Sequence, residues 1–364
     1  MPNRKPHPEY NVPGADEAFG ELLGYEAAWR DRQAFLQAQG YMLRPRLRPN
    51  WVPSWRKSPA AIIESEDGVV LPMRRHLVDA THISDGTLVY IKRVHTGDEE
   101  TLALAKMNST GVKDDPRNHA VRILDYFQDD VDNTISYIVM PFLLPIDEPP
   151  MERVGECIDF VTQFLEGLIC QHEAGVAHRD LSEKNLLIEA SALYPQGHHP
   201  VKLEMLPDLS GLAPALPRWK LGVRYLYVDF GISTYFPPGS TQRLVTGILG
   251  RNQNVPELSK TVPYDPFKVD IFSLGQVFER VFTKTYTNTE FLRPLIKSMT
   301  ARDPAARPSA AEAFSQWTEM SKSVGSFRRV LHLREREGPM PFTFVLDTIN
   351  IFRALPPCFH NSIS

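Results

Sequence analysis

Along the chain the spacing of apolar residues switches between a repeat of two and a repeat of three to four, and the switches mark out elements. Thr87-Leu-Val-Tyr-Ile-Lys-Arg-Val94 is β-branched and alternating, which predicts a strand, and Val78-Asp-Ala80, ahead of an Asp-Gly turn, predicts the strand before it. Asp98–Met107 then takes helical spacing: with Glu100 turned inward, Ala103, Leu104 and Met107 share its face. A further strand is expected from Tyr137 to Leu143 and a long helix from Val154 to Ala174. Leu186–Glu189 and Tyr225–Val228 read as short strands. The stretch between them, Ser191–Arg218, is rich in Pro, Gly, Leu and His and reads as an inserted surface loop. Ahead of all these, an amphipathic helical stretch is expected from about Ala15 to Gln39, followed by Leu43–Trp55, where Pro45, Pro49 and Pro53 forbid a helix. Past Gly325 the tail turns basic, then apolar from Phe342 to Phe352, a segment expected to pack back on the body of the protein.

Composition narrows the class. The 364 residues exceed one minimal domain, and 42% hydrophobic residues suffice for a two-part core. A net charge of -4 gives no electrostatic case for nucleic acid or a membrane surface. Arg44, Arg46 and Arg48 beside Trp51 and Trp55 have the look of a nucleic-acid patch; the expectation is instead that the tryptophans dock the segment and the arginines stay solvated. Cys157, Cys170 and Cys358 are scattered, without metal-ligand or CxxC spacing, and point to a reducing compartment and core packing. The adjacent His198 and His199 read as loop residues, and His172 as helix surface. There is no apolar signal region, no run approaching the roughly 20 residues of a membrane span, and no prenylation box, since Cys358 lies too far from the end. A cytoplasmic or nuclear protein is expected.

Candidate chemistry sits in two motifs. His178-Arg-Asp-Leu-Ser-Glu-Lys-Asn185 spaces a carboxylate and a carboxamide so that one can lean on a nucleophile and the other on a metal. Leu226-Tyr-Val-Asp-Phe-Gly-Ile232 carries Asp-Phe-Gly at the end of an apolar strand pattern. Together they resemble the catalytic centre of protein kinases. The resemblance implies an α+β, two-lobed fold, with a small β-rich N-lobe and a larger, mainly helical C-lobe. It also implies ATP and Mg2+ as cofactors and a protein hydroxyl as substrate. On this resemblance Asp180 accepts the hydroxyl proton, Asn185 and Asp229 hold magnesium, and Lys92 grips the α- and β-phosphates. Lys92 would pair with Glu100, with Glu99 the alternative. Met140 would gate the adenine pocket, and the backbone of Pro141 and Leu143 would meet the adenine edge, Pro141 through its carbonyl alone. The resemblance extends downstream: Val255-Pro-Glu257 would close the activation segment, Asp270 would tie down the catalytic loop, and Arg307 would form a buried pair with Glu257. Arg179 would meet an anionic group on that segment, with Ser240 or Thr241 as phosphosite, while Thr246 would contact the catalytic aspartate.

The chain departs from the family at three places. Glu66–Arg75, where a glycine-rich phosphate loop is due, holds only Gly68, and Arg74 and Arg75 either stay solvated or supply charge in its place. Ser182 stands where serine/threonine kinases carry a lysine, while Lys184 occupies a place where many receptor tyrosine kinases carry an arginine and would deliver a similar charge. The third departure is the insertion, about 190–224. The expected organisation is an extension over 1–59, a kinase-like domain over 60–322 divided at 142/143, and a tail over 323–364. The Arg/Pro/Trp segment, Asp115-Pro-Arg-Asn-His119 before Ile123-Leu-Asp125, and the poor glycine loop also resemble kinase-like proteins of filamentous and mushroom-forming fungi. Three functions follow: an active protein kinase of serine/threonine type, a pseudokinase that binds nucleotide or scaffolds, and a small-molecule phosphotransferase. The last fares worst, because such enzymes lack the parts matched by Glu257, Asp270 and Arg307.

Overall fold

The computed structural model describes residues 15–57, 62–70, 72 and 75–337, so the expectations for Arg74, Cys358 and the apolar run Phe342–Phe352 lie outside it. The fold is α+β and divides into two units. The first takes the chain up to Thr96, together with Ile123–Phe142 and Tyr194–Ala215; the second takes Gly97–Arg122, Leu143–Leu193 and the chain from Leu216 onward.

In the first unit the stretch expected as one helix is three short ones, α1 (Ala15–Phe19), α2 (Gly24–Arg30) and α3 (Gln33–Ala38). Gly20 and Gly24 weaken the helix between α1 and α2. Arg32, at the α2–α3 bend, turns its guanidinium to Asp129 and Asp130, at 2.7 and 3.1 Å. These helices precede an antiparallel sheet of β1 (Tyr41–Met42), β2 (Leu77–His82), β3 (Leu88–His95), β4 (Asp125–Gln128) and β5 (Ile135–Pro141), in the order β1-β2-β3-β5-β4. Side chains alternate across a strand. Val78 and Ala80 of β2, Val89 and Ile91 of β3, and Tyr137 and Val139 of β5 therefore form one face, which packs with Trp29, Leu36, Leu43 and Leu47 into a single buried core. The N-terminal stretch thus supplies five of the twelve buried residues of that core.

Two of the three arginines expected in solvent are buried. Arg46 is fully enclosed, forks onto Glu26 at 2.9 and 3.0 Å, and bonds the carbonyls of Phe19, Glu21 and Asp67. Its guanidinium lies 4.7 Å from the centre of the Trp51 ring. Arg44 donates to Asp79 at 2.8 Å and to the Val69 carbonyl at 3.1 Å. The physical reason is that Glu26 and Asp79 are themselves buried and need charged partners there. Only Arg48 of the three is exposed. The insertion is also less of a surface loop than its composition suggests. His198 and His199 are buried, with the His198 ring 4.7 Å from Tyr194 and 5.5 Å from Phe142, and His199 Nδ1 accepts from the N–H groups of Val201 and Lys202.

The second unit begins with α4 (Glu99–Met107), capped by the Asp98 carboxylate on the Thr101 N–H at 2.8 Å. After β6 (Leu144–Pro145), α5 (Val154–Glu173) runs through the core with Phe160, Phe164, Leu165 and Leu168 completely buried. The chain then forms β7 (Val176–Ala177), β8 (Leu186–Glu189), α6 (Arg218–Leu221), β9 (Arg224–Tyr227), β10 (Thr234–Tyr235), β11 (Val245–Gly247) and β12 (Ser259–Tyr264). Helices α7 (Pro266–Phe278), α8 (Arg293–Met299) and α9 (Ala310–Lys322) complete it. The described start of the tail joins the N-terminus of α5, where Val154 donates to the Leu331 carbonyl and Leu333 to that of Glu152. Cys157 and Cys170 are free and buried, and burial pushes both thiols up, Cys170 to about 11. Among the described residues no helix is long and apolar enough to cross a membrane.

Candidate active site

The loop between β7 and β8 is built around a buried carboxylate. Asp270 of α7, with no exposed surface, accepts from the backbone N–H groups of His178 and Arg179 at 2.8 and 2.7 Å. His172 Nε2 lies 3.1 Å from the same carboxylate, so this histidine belongs to the loop's anchor and not to the helix surface. Arg179 has φ of 68°, a conformation that costs a non-glycine residue about 1–3 kcal/mol. Two charge-assisted bonds at its own and the preceding N–H offset that cost. The completely buried His178 ring accepts the Asp180 N–H on Nδ1 at 3.4 Å and meets the Val228 carbonyl through Nε2 at 3.1 Å. Those partners specify the neutral Nε2–H tautomer, and burial accordingly holds its pKa below the usual imidazole value.

Asp180 follows, with its carboxylate held from two sides. Asn185 Nδ2 donates to the Asp180 carbonyl at 2.8 Å and to Oδ2 at 2.9 Å, and the Arg251 N–H donates to Oδ1 at 2.6 Å. Arg251 Nε stands 3.8 Å from Oδ2. The approach of this segment depends on Gly250, whose φ is 118° and where an added Cβ would lie 3.0 Å from the Arg179 carbonyl and 3.6 Å from Asp180 Oδ1. Thr246, expected at Asp180, lies on β11, and its carbonyl accepts from Arg179 Nη2 at 3.4 Å. The other Arg179 bonds go to the Ile232 carbonyl and to Thr234 Oγ1, at 3.2 and 3.0 Å. Ser240 lies in an exposed turn with its hydroxyl on the Pro237 carbonyl. Lys184 is exposed, while the Ser182 hydroxyl is buried and makes no hydrogen bond.

Asn185 and Asp229 are brought near one another by the bond from the Val228 N–H to the Asn185 carbonyl, at 3.0 Å. Asp229 has φ of 62°, and the following Phe230 packs on His178 with ring centres 4.8 Å apart. A Cβ on Gly231 would sit 3.2 Å from Asp229 Oδ1 and 3.6 Å from Glu100 Oε2, so the two carboxylates converge on this glycine. Of the two adjacent glutamates Glu100 is buried and Glu99 exposed. Because both N–H bonds of Asn185 go to Asp180, its carboxamide oxygen is left as an acceptor. That oxygen and the Asp229 carboxylate are both hard donors, the class of ligand that magnesium takes, so these two residues could hold it.

The remaining candidates lie elsewhere. In the first unit Lys92 is 7% exposed on β3, in register with Ile138, and Tyr90 is in register with Met140; these lie on the sheet face away from the Trp29 core. Leu143 is buried at the start of the second unit's stretch before β6. Arg307, fully buried, grips Glu257 at 2.5 and 2.8 Å and bonds the carbonyls of Ala301, Lys268 and Arg302. Sequence reasoning missed Arg251, which carries no motif of its own, and dismissed His172, whose position six residues before His178 was the available signal. Between β1 and β2 the described residues form short 3₁₀ turns, and Gly68 is the single glycine of the sequence from Leu43 to His76.

No family model matches the sequence. It is, however, similar to a Wee1-like protein kinase of Oryza sativa subsp. japonica, with 26% identity over 255 residues, 63% of this chain and 41% of the relative. That similarity supports a relationship to the protein kinase superfamily. The kinase-like chain thus spans about two fifths of its relative's length.

Proposed function

We propose that this chain is an active protein kinase, transferring the γ-phosphoryl group of ATP to a serine or threonine hydroxyl of a protein. The observation that carries the reading is the double restraint on Asp180, by Asn185 Nδ2 and the Arg251 N–H, in a loop tied to buried Asp270. A carboxylate so oriented takes the proton from an incoming hydroxyl as its oxygen attacks phosphorus. Asn185 and Asp229 would hold magnesium, which when bound neutralises charge on the phosphate oxygens. Lys92 would bind the α- and β-phosphates with Glu100 as its charge partner, and Lys184 would face the transferred group. Met140 and the backbone of Pro141 and Leu143 would meet the adenine. A pseudokinase is the second reading. The scarcity of glycine between Leu43 and His76 favours it, since a chain without closely spaced glycines is ill suited to fold its backbone amides over a triphosphate.

Incorporation of labelled phosphate from ATP and magnesium, wild type beside Asp180→Asn, tests the assignment. Turnover is expected to fall by about 10²–10⁴-fold in the variant, the usual range for a lost general base, with nucleotide affinity unchanged by calorimetry. Phosphoamino-acid analysis should yield phosphoserine or phosphothreonine. A wild type that incorporates nothing above the variant returns the chain to the pseudokinase reading.

A further inference from the structure

The sheet face opposite Lys92 carries a cavity of about 70 Å³, lined by Ala28 and Trp29 of α2, by Arg32, by Arg75 ahead of β2, by Arg93 of β3 and by Tyr137 of β5. A water needs roughly 10–15 Å³ of such space, so the cavity has room for a small polyatomic group. Its polar lining is made of donors. Trp29 is 3% exposed, and its indole N–H is enclosed without any hydrogen-bond partner. Arginine and tryptophan side chains donate and cannot accept, and an enclosed N–H is unfavourable until an acceptor reaches it.

Three arginines and three aspartates lie in this region, but only the arginines line the cavity itself. Arg32 is neutralised by Asp129 and Asp130, and the Tyr137 hydroxyl donates to Asp129 Oδ2 at 2.8 Å, which removes both from service. Asp132 interacts electrostatically with Arg93 without forming an ion pair, its carboxylate accepting from the Thr134 N–H and hydroxyl. Arg75 and Arg93 are exposed, and among the described residues neither guanidinium has a hydrogen bond or ion pair. Arg93 stands in register with Tyr137 at the cavity floor. No carboxylate lines the space. Two planar guanidinium forks without partners, in a cavity that the Trp29 ring also lines, form a receptor for a tetrahedral oxyanion, because a phosphate offers acceptor oxygens to both forks at once.

We propose that this cavity binds a phosphate group, carried on a phosphorylated side chain or free in solution, independently of the catalytic reading. The arrangement also reassigns Arg75: it serves this back face and does not stand in for a phosphate loop over ATP. Because Arg93 adjoins Lys92 on β3, occupation of the cavity fixes the strand that presents Lys92 on the other face.

The test is an NMR titration of the full chain without nucleotide, following the Trp29 indole N–H, identified by its disappearance in Trp29→Phe. Inorganic phosphate and N-acetyl-phosphoserine amide are the two ligands. A saturable shift is expected, with affinity at least about tenfold weaker in Arg75→Gln/Arg93→Gln, the loss that follows removal of charge-assisted hydrogen bonds. Both substituted side chains are exposed, so the double variant should fold, which circular dichroism checks, and Arg75→Lys/Arg93→Lys should recover part of the binding. Tighter binding of the phosphoserine amide identifies a phosphorylated chain as the ligand; tighter binding of inorganic phosphate identifies the free ion. An indole resonance that does not move with either, or an unchanged affinity in the glutamine variant, overturns the proposal.

Discussion

His178 ties the loop between β7 and β8 to pH. Its ring is buried and neutral, with Nδ1 accepting from Asp180 N–H and Nε2 turned to the Val228 carbonyl, so a second ring proton has no place to go. Burial lowers its pKa in the folded chain from the ordinary 6.5, although nearby Asp270, Asp180 and Asp229 act in the opposite sense. The sign follows from proton counting: below about pH 6.5 the unfolded chain takes up a proton that the folded chain refuses. The stability contributed by the neutral ring is therefore complete above that pH and is lost as pH falls towards the folded value. Urea unfolding between pH 7.5 and about 5 should show stability declining with acid, and the decline should be shallower in His178→Gln by the share of one proton. His119 and His198, both lowered by burial, add to the decline, while Glu156, Asp159 and Glu166, raised by burial, work against it.

At the level of elements, α7 and α8 meet at Gly275, where an added Cβ would lie 2.8 Å from Met299 Cβ and 2.9 Å from Thr300 Cγ2. Gly275→Ala gains about 1 kcal/mol of helix propensity but overpacks the crossing at a cost of about 1–3 kcal/mol. A net loss of up to about 2 kcal/mol is expected, seen as a lower urea midpoint at constant m. Elements of this kind were legible in the sequence because one buried face repeats along them: Val154–Ala174 is the helix Val154–Glu173, and Thr87–Val94 the strand Leu88–His95. The N-terminal stretch is not one helix because Gly20 and Gly24 interrupt it and Arg32, at the α2–α3 bend, answers to Asp129 and Asp130 far along the chain. β1, only Tyr41–Met42, is too short for any period to register. Solvation of Arg44 and Arg46 was likewise misjudged, since their carboxylates lie 35 and 20 residues away. In the site, the residues grouped within one loop could be read directly. Arg251 and His172 could not, because each finds its partner across 71 or 98 residues.

For the molecule as a whole, the pair of Arg307 and Glu257 joins the end of the segment that covers Asp180 to the helical body of the second unit. Arg307 is wholly enclosed, rests 4.6 Å from the Phe272 ring and bonds three carbonyls besides the carboxylate. Arg307→Leu alone would strand Glu257 and should cost about 3–5 kcal/mol, and Glu257→Leu would strand the arginine at similar cost. Replacing both should cost less than the sum of the two, a coupling that a double-mutant cycle of urea midpoints measures directly.

The first unit's ownership of Tyr194–Ala215 has a consequence for biosynthesis. A ribosome delivers the chain in order, and domains made first usually fold first. Here the unit that starts earliest receives its last piece only after Gly97–Arg122 and Leu143–Leu193 of the other have emerged. Phe142 and Tyr194 wait for His198. The nascent chain must therefore carry two unfinished cores at once, and whatever protects it in the cell has to do so until Ala215 has left the exit tunnel for the first core and α7 to α9 have left it for the second.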